Sequence, residues 1–365
     1  MIASLFPPKK IKHCIKDGRR PQALNSIFGS IQASTQIYQR TNGTHFQRFL
    51  DPSLDSSGWT SIGLDLMLDL TARMPFAEAS EVALRWGVTV GHAELERLTA
   101  PVATALQTAV NTRLKRLSLT KLAQGAGRII TVQIDGVYVL EQPQAGICAG
   151  IELKSILIAP HNAPSERTML AGVYKPVELE DLISGLLRVA GVRQADRLIG
   201  LGDGAIWIEH LFTSLGIEQV IDVYHALEYA GLIMKFLGWS EAEQMMERKL
   251  WCQGKVNVRD WITEFAPVAR AKGAIEDVLT AIEYLESRAS RMAYLTLLRS
   301  GLPIGSGQIE GMNKNVIGSR MKRSGMHWSR SGASRMGLLR SQVRSKRAVL
   351  MPLSVRWDAF PIPPA

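Results

Sequence analysis

RIITVQIDGVYVL, Arg128–Leu140, is where the chain changes period. Upstream of it apolar residues recur at helical spacing; from Arg128 they alternate with polar ones or run together as in strands. RIITVQID, GVYVL and GICAGIELKSILIA read as three consecutive strands, with Asp135-Gly136 turning the first into the second. A helix follows over Val177–Val189, a strand over Arg197–Asp203, a helix over Ala205–Leu215, a strand over Gln219–His225, then another helix. The order β-β-β-α-β-α-β-α predicts an α/β fold built on a ribonuclease-H-like mixed sheet. A doubly wound sheet would alternate from its first strand. Neither G-x-G-x-x-G nor G-x-x-x-x-G-K-[ST] occurs to support a nucleotide-binding alternative.

Working outward, residues 226–302 are helical in pattern and interrupt the core as an all-helical insertion. Residues 303–347 return to the core, which therefore comprises 128–225 plus 303–347, and 348–365 form a tail ending in PIPPA. Residues 61–127 read as a mainly helical domain, with helix-turn-helix spacing around Gly87. Glu94 and Glu96 on its second helix suit plain packing better than phosphate contact. Residues 1–60 are basic and turn-rich, with weak alternation in SIFGSIQASTQIYQR (Ser26–Arg40) that suggests a short strand pair.

The 365 residues carry a net charge of +10, unevenly spread. Residues 1–50 hold eight Lys/Arg against one acid, and residues 311–365 hold eleven against one. The 128–310 body holds 17 basic and 23 acidic residues. Basic ends around an acidic body suit a protein that grips a polyanion and keeps carboxylates inside. Three scattered cysteines exclude a disulfide framework and a zinc cluster and fit a reducing compartment. No signal-peptide core and no run of about 18 apolar residues is present, so no membrane span is expected.

Three carboxylates stand out. Asp135 and Asp203 each end an apolar run, and Glu310 falls in the first turn of a helix expected to be capped by Ser306. Taken alone, Asp135 is the ordinary hairpin signal, Asp203 a helix N-cap and Glu310 a solvated residue. Together they place acids at the carboxyl ends of strands, where open sheets carry their sites. Three acids meeting there would repel one another without divalent cations between them, and an oxygen-only set favours Mg²⁺ or Mn²⁺, two ions for a phosphodiester. Asn313 and Lys314 share the Glu310 face, and Lys314, Arg320, Lys322 and Arg323 are expected to bind DNA, the last three at flanking phosphates, with His327, Arg330 and Arg335 beyond them. Trp328 reads either as a platform for an unpaired base or as a packed core residue. The last helix is expected to set Arg335, Arg340, Arg344 and Arg347 on its surface. Asp222 and His225 form an Asp-x-x-His, read either as a structural pair or as support for the metal site.

QIDGVYV, LGDGAIWI, IDVYHALEY and PIGSGQIEGMNKNVIGSRMKRSGMHWSRSGASRMGLLR together resemble the DDE-type transposases of bacterial insertion sequences, most closely the ISKra group. The likeness spans about residues 60–347. It implies Asp135, Asp203 and Glu310 as catalytic and metal-binding triad. It also implies cleavage and strand transfer at element ends, a homo-oligomer on DNA, and residence in the cytoplasm at the bacterial nucleoid. Relatives carry a Cys-x-x-Cys element where this chain has IYQRTNGTHFQ. They also carry a Trp-x-Glu-x-Lys where it keeps Glu152 and Lys154 as further supporting residues, with Gly150 in the Trp place. A structure-specific nuclease or resolvase on the same fold, and a silent DNA-binding remnant, are the rival readings.

Overall fold

The computed structural model describes residues 14–26, 29–43, 45–49, 58–143 and 149–350. The closing PIPPA, Cys148 and residues 27–28 of SIFGSIQ lie outside the described residues. The chain divides into two compact units. One holds Met1–Val110, Leu338–Val343 and Leu350–Ala365, the other Asn111–Gly337 and Arg344–Val349.

In the first unit β1 (Cys14–Ser26), β2 (Gly29–Arg40) and β3 (His45–Phe49) form an antiparallel sheet in that order. The alternation in Ser26–Arg40 therefore does not fold on itself. It is essentially one strand, paired with the basic segment before it, and the chain reverses between the paired residues Ser26 and Gly29. Helices α1 (Ser61–Arg73), α2 (Phe76–Arg85) and α3 (His92–Ser118) follow. They pack around Trp59, Leu64, Met67, Ala83 and Leu95, and Gly87 turns α2 into α3 at φ 78°. Glu94 accepts the Trp59 indole N–H at 3.4 Å, so this acid serves packing. Arg340 was expected on the surface but is buried at 1 % exposure, its guanidinium donating to the Ala72 carbonyl. The last carbonyls of α1 lack helical partners, and a cation is a favourable one there.

In the second unit β4 (Ile129–Leu140), β5 (Gly150–Pro160) and β6 (Thr168–Gly172) make an antiparallel meander. After α4 (Pro176–Val189), β7 (Arg197–Gly202) pairs parallel to β4; after α5 (Ile206–Ser214), β8 (Glu218–Ile221) pairs parallel to β7. The resulting order, β6-β5-β4-β7-β8, is the ribonuclease-H-like mixed sheet expected from the element order. Asp135-Gly136 does not turn: Asp135 faces Ser155 and Gly136 faces Lys154 in an unbroken ladder. Gly136 serves space rather than a positive φ, because a β-carbon there would overlap the Glu152 carboxylate. The third strand is consequently Thr168–Gly172, a segment too short to announce itself. The last strand stops at Ile221, four residues before His225, because Asp222 accepts the Tyr224 N–H at 2.7 Å and starts a helix.

That helix is α6 (Val223–Leu237), ended by Gly238 at φ 93°. The insertion continues with α7 (Glu241–Cys252), α8 (Val258–Ala271), α9 (Glu276–Arg288) and α10 (Tyr294–Arg299). Ser240 and Glu243 close a capping box at the start of α7, and Asn257 caps α8. Trp251, Trp261, Ile282 and Leu285 share one apolar cluster with Leu201, Val220 and Ile221 of the sheet. Chain return is made by α11 (Gly307–Met312), a π-helical stretch over Asn313–Gly318, α12 (Ser319–Met321) and α13 (Arg330–Arg344).

At the base of the sheet the buried Asp196 carboxylate takes both Arg128 and the backbone N–H groups of Arg128 and Arg193. This joins the start of β4 to the turn before β7, opposite the end where the acids lie.

Candidate active site

Strand register sets the acids out in a row. Gln133 pairs with Leu201, so two residues on Asp135 comes beside Asp203; Gly202 pairs with Ile221, so Asp203 comes beside Asp222. Neighbouring strands lie about 4.8 Å apart, and residues in one register row share a face. The row sits where β7 and β8 end, while β4 runs on five residues past Asp135, to Leu140, in its ladder with β5.

Each carboxylate has a different surrounding. Asp135 accepts its neighbour Gly136 N–H at 2.7 Å and the Asn313 amide at 2.6 Å. Burial pushes its pKa above the usual carboxylate range and the Asp203 charge adds to that, while the Gly136 N–H, His225 and Asn313 pull the other way. Asp203 accepts the Ala205 N–H at 2.9 Å, the local turn expected before a helix. Its backbone is held from the insertion: Tyr284 donates to the Asp203 carbonyl and Arg288 to the Gly204 carbonyl, where the chain turns at φ 80°. Asp222 is buried and committed. Besides capping α6 it accepts the backbone N–H of Ser306 at 2.9 Å and the Ser306 hydroxyl.

Asp222 therefore does not pair with His225, whose Nδ1 lies 3.5 Å from Glu228 instead. His225 does lie within electrostatic reach of both Asp135 and Glu310, pulling both pKa values down. Glu310 stands on α11 with 65 % of its side chain exposed, paired at 2.7 Å with Lys314. That ammonium holds its carboxyl below the usual range.

Ser306 does not cap α11, since its hydroxyl is spent on Asp222. The cap comes from the sheet: Gln133 Oε1 accepts the Ile309 N–H at 3.0 Å. Gln133 is buried on the Asp135 face of β4, and together with Asp222 and the Asn313–Asp135 bond it lays α11 across the strand ends. Sequence reasoning missed Gln133, Tyr284 and Arg288. Only Gln133 left a trace, a polar residue two before Asp135 in a mainly apolar strand.

Glu152 and Lys154 form an ion pair at 2.6 Å, with Lys154 buried and 4.1 Å over the Trp207 ring. Lys154 faces Gly136 and Glu152 faces Tyr138, so both lie on the opposite face of the sheet from Asp135. Lys322, Arg323, His327 and Arg330 are exposed, Arg330 lying 3.6 Å from Glu141; Arg335 is half-buried. Arg320, expected at flanking phosphates, is instead buried at 1 % exposure against the Trp328 ring, 5.4 Å from its centroid. The wider turns of the π-helical stretch shift the phase of every later side chain, which α-helical spacing from Glu310 does not anticipate. Trp328 is half-buried, donates its indole N–H to the Met321 carbonyl and bridges by backbone to Leu140 and Gln142. It is held as a packed residue.

Among the described residues no three His, Cys, Asp or Glu side chains form a group that could hold a metal ion. Asp135 and Asp203 nonetheless fit a hard divalent cation by donor chemistry, being adjacent carboxylates whose mutual repulsion such an ion relieves. No helix among the described residues is long and apolar enough to cross a membrane.

No protein family matches the sequence, and no curated protein matches it. Among solved structures the chain is similar to the Mos1 strand transfer complex, at 13 % identity and a TM-score of 0.18, over 66 % of this chain and 78 % of that one. A TM-score of 0.18 defines no shared fold, and the fold assignment rests on strand order.

Proposed function

We propose that the chain is a DDE-type DNA transposase, cutting phosphodiesters at element ends and joining the freed 3′-hydroxyls to target DNA. The observation that carries this reading is the register row that brings Asp135, just past the last β4–β7 pair, beside Asp203 at the end of β7, with Asp135 bonded to Asn313, the residue that ends the short helix bearing Glu310. Asp135 and Asp203 would hold Mg²⁺ or Mn²⁺, with Glu310 completing the set once it leaves Lys314 for the cation. Bound there, divalent cations would polarise the phosphodiester and favour the attacking hydroxyl. The protein's own part is positional. Gln133 and Asp222 fix the helix, Tyr284 and Arg288 fix the Asp203 turn, and the exposed basic segment holds flanking phosphates. Two DNA ends must be handled together, so a homo-oligomer is expected on DNA.

The test uses plasmid DNA carrying the flanks of the gene, with Mg²⁺ or Mn²⁺ added. Cation-dependent cleavage and covalent joining of a 3′-hydroxyl end to the plasmid are expected. Cleavage without joined product makes the protein a nuclease or resolvase instead. Specific binding with no cleavage makes it a silent remnant.

Lys322, Arg323 and Arg330 supply the salt-sensitive part of binding in this reading. Neutralising all three is expected to reduce the slope of log K against log salt by roughly 0.9 per lost phosphate contact, about 2 to 3 in total. An unchanged slope in a salt titration removes this segment from the DNA surface.

A further inference from the structure

Two buried oxygen atoms beside Asp135 have no hydrogen-bond partner. Ser155 is fully buried and directly opposite Asp135 in the β4–β5 ladder. Directly opposed residues share a face, their β-carbons about 5 Å apart. The Ser155 hydroxyl makes no hydrogen bond. Asn313 is 9 % exposed and gives its amide nitrogen to Asp135 Oδ2, which leaves its carbonyl oxygen Oδ1 buried and unpartnered. Buried polar atoms are normally satisfied, so two exceptions against one carboxylate point to something that binds there.

We propose that Ser155 Oγ and Asn313 Oδ1 are two further oxygen donors of the divalent-cation site at Asp135, an inference that rests on the function proposed above. Side-chain carbonyls and hydroxyls are suitable oxygen donors for a hard cation. Both are neutral. They raise the number of donors without adding negative charge beside two carboxylates that already repel each other. They also explain why the third acid, Glu310, need not lie close to Asp135 for the first contacts with an ion to form.

The test uses the full chain and Mn²⁺ alone, followed by electron paramagnetic resonance and calorimetric titration, with thermal melts in the absence of metal. Asp135→Asn is expected to lose Mn²⁺ binding. Ser155→Ala is expected to melt at or above the wild-type temperature without metal, because it removes an unsatisfied hydroxyl. The same variant is expected to bind Mn²⁺ on the order of 10-fold more weakly. An idle serine cannot produce that pair of opposite effects. Asn313→Ala should weaken Mn²⁺ binding as well; if it fails to fold, Ser155→Ala decides alone. Wild-type Mn²⁺ affinity in Ser155→Ala overturns the inference and leaves the Asp135 site standing. A wild-type protein whose Mn²⁺ binding is indifferent to Asp135→Asn overturns the cation site itself, and the inference with it.

Discussion

Asp135→Asn and Asp203→Asn are each expected to reduce cation-dependent DNA cleavage on the order of 10³-fold or more while leaving DNA binding intact. The reason lies in the row of acids: neither carboxylate has a neighbouring acid free to replace it, because Asp222 is committed to Ser306 and the start of α6. Asp135→Asn carries a second signature. Its folded-state pKa is raised, chiefly by burial. The stability linked to this group is therefore fully present below its unfolded pKa and lost as pH rises through its folded value. Above its unfolded pKa the buried carboxylate is a net cost, and the asparagine variant is expected to melt higher than wild type without cation. Added Mn²⁺ should then stabilise wild type and not the variant. Cleavage assays and melts at pH 7 with and without Mn²⁺ check both halves. A variant that melts lower and still cuts would falsify the assignment of Asp135.

The largest expected effect on stability is at the other end of the sheet. Asp196→Ala is expected to destabilise the folded state by about 3 to 5 kcal/mol. The Asp196 side chain is 0 % exposed, and it accepts the Arg128 guanidinium at 2.6 Å and the N–H groups of Arg128 and Arg193 at 2.8 Å each. Removing it leaves the partly buried Arg128 guanidinium with the Gly191 carbonyl but no counter-charge, and takes the acceptor from two backbone donors. Burial alone would raise the Asp196 pKa, but hydrogen bonds from Arg128 and the backbone, with the Arg128 charge, bring it below the usual carboxylate range. A depressed folded value means this stability is present above the unfolded pKa and lost as pH falls through the folded one. Wild type should therefore weaken in acid, below about pH 4, while the alanine variant changes little over that window. Urea midpoints across pH measure this, and a variant as stable as wild type at pH 7 would remove Asp196 from the account.

Much of the fold was legible in the sequence because the sheet is buried and its helices are amphipathic. Helix α4 and strand β7 begin and end within a residue of their expected bounds. The failures have local causes. Asp135-Gly136 looks like a turn because the pair usually is one; here the glycine leaves room for the Glu152 carboxylate across the ladder, which only pairing reveals. Asp222 extended the expected last strand because an N-cap looks like any polar residue after an apolar run. Arg320 was misplaced because the hydrogen-bond period changes inside its helix. For the site, Asp135 and Asp203 could be read as ends of apolar runs, and register alone sets them side by side. Ser155 and Gln133 gave little warning: their importance depends on what lies across from them, and neighbours in sequence do not encode that.

The short helix that carries Glu310 is secured by partners made much earlier, Asp222 lying 84 positions and Gln133 176 positions before the residues they hold. On a translating ribosome the sheet can close long before this helix exists. Until the last part of the chain emerges, Gln133 and Asp222 lack the partners they hold in the finished fold. Premature termination between Asp222 and Ser306 thus yields a product that has its first two acids and lacks both the third and the helix that carries it.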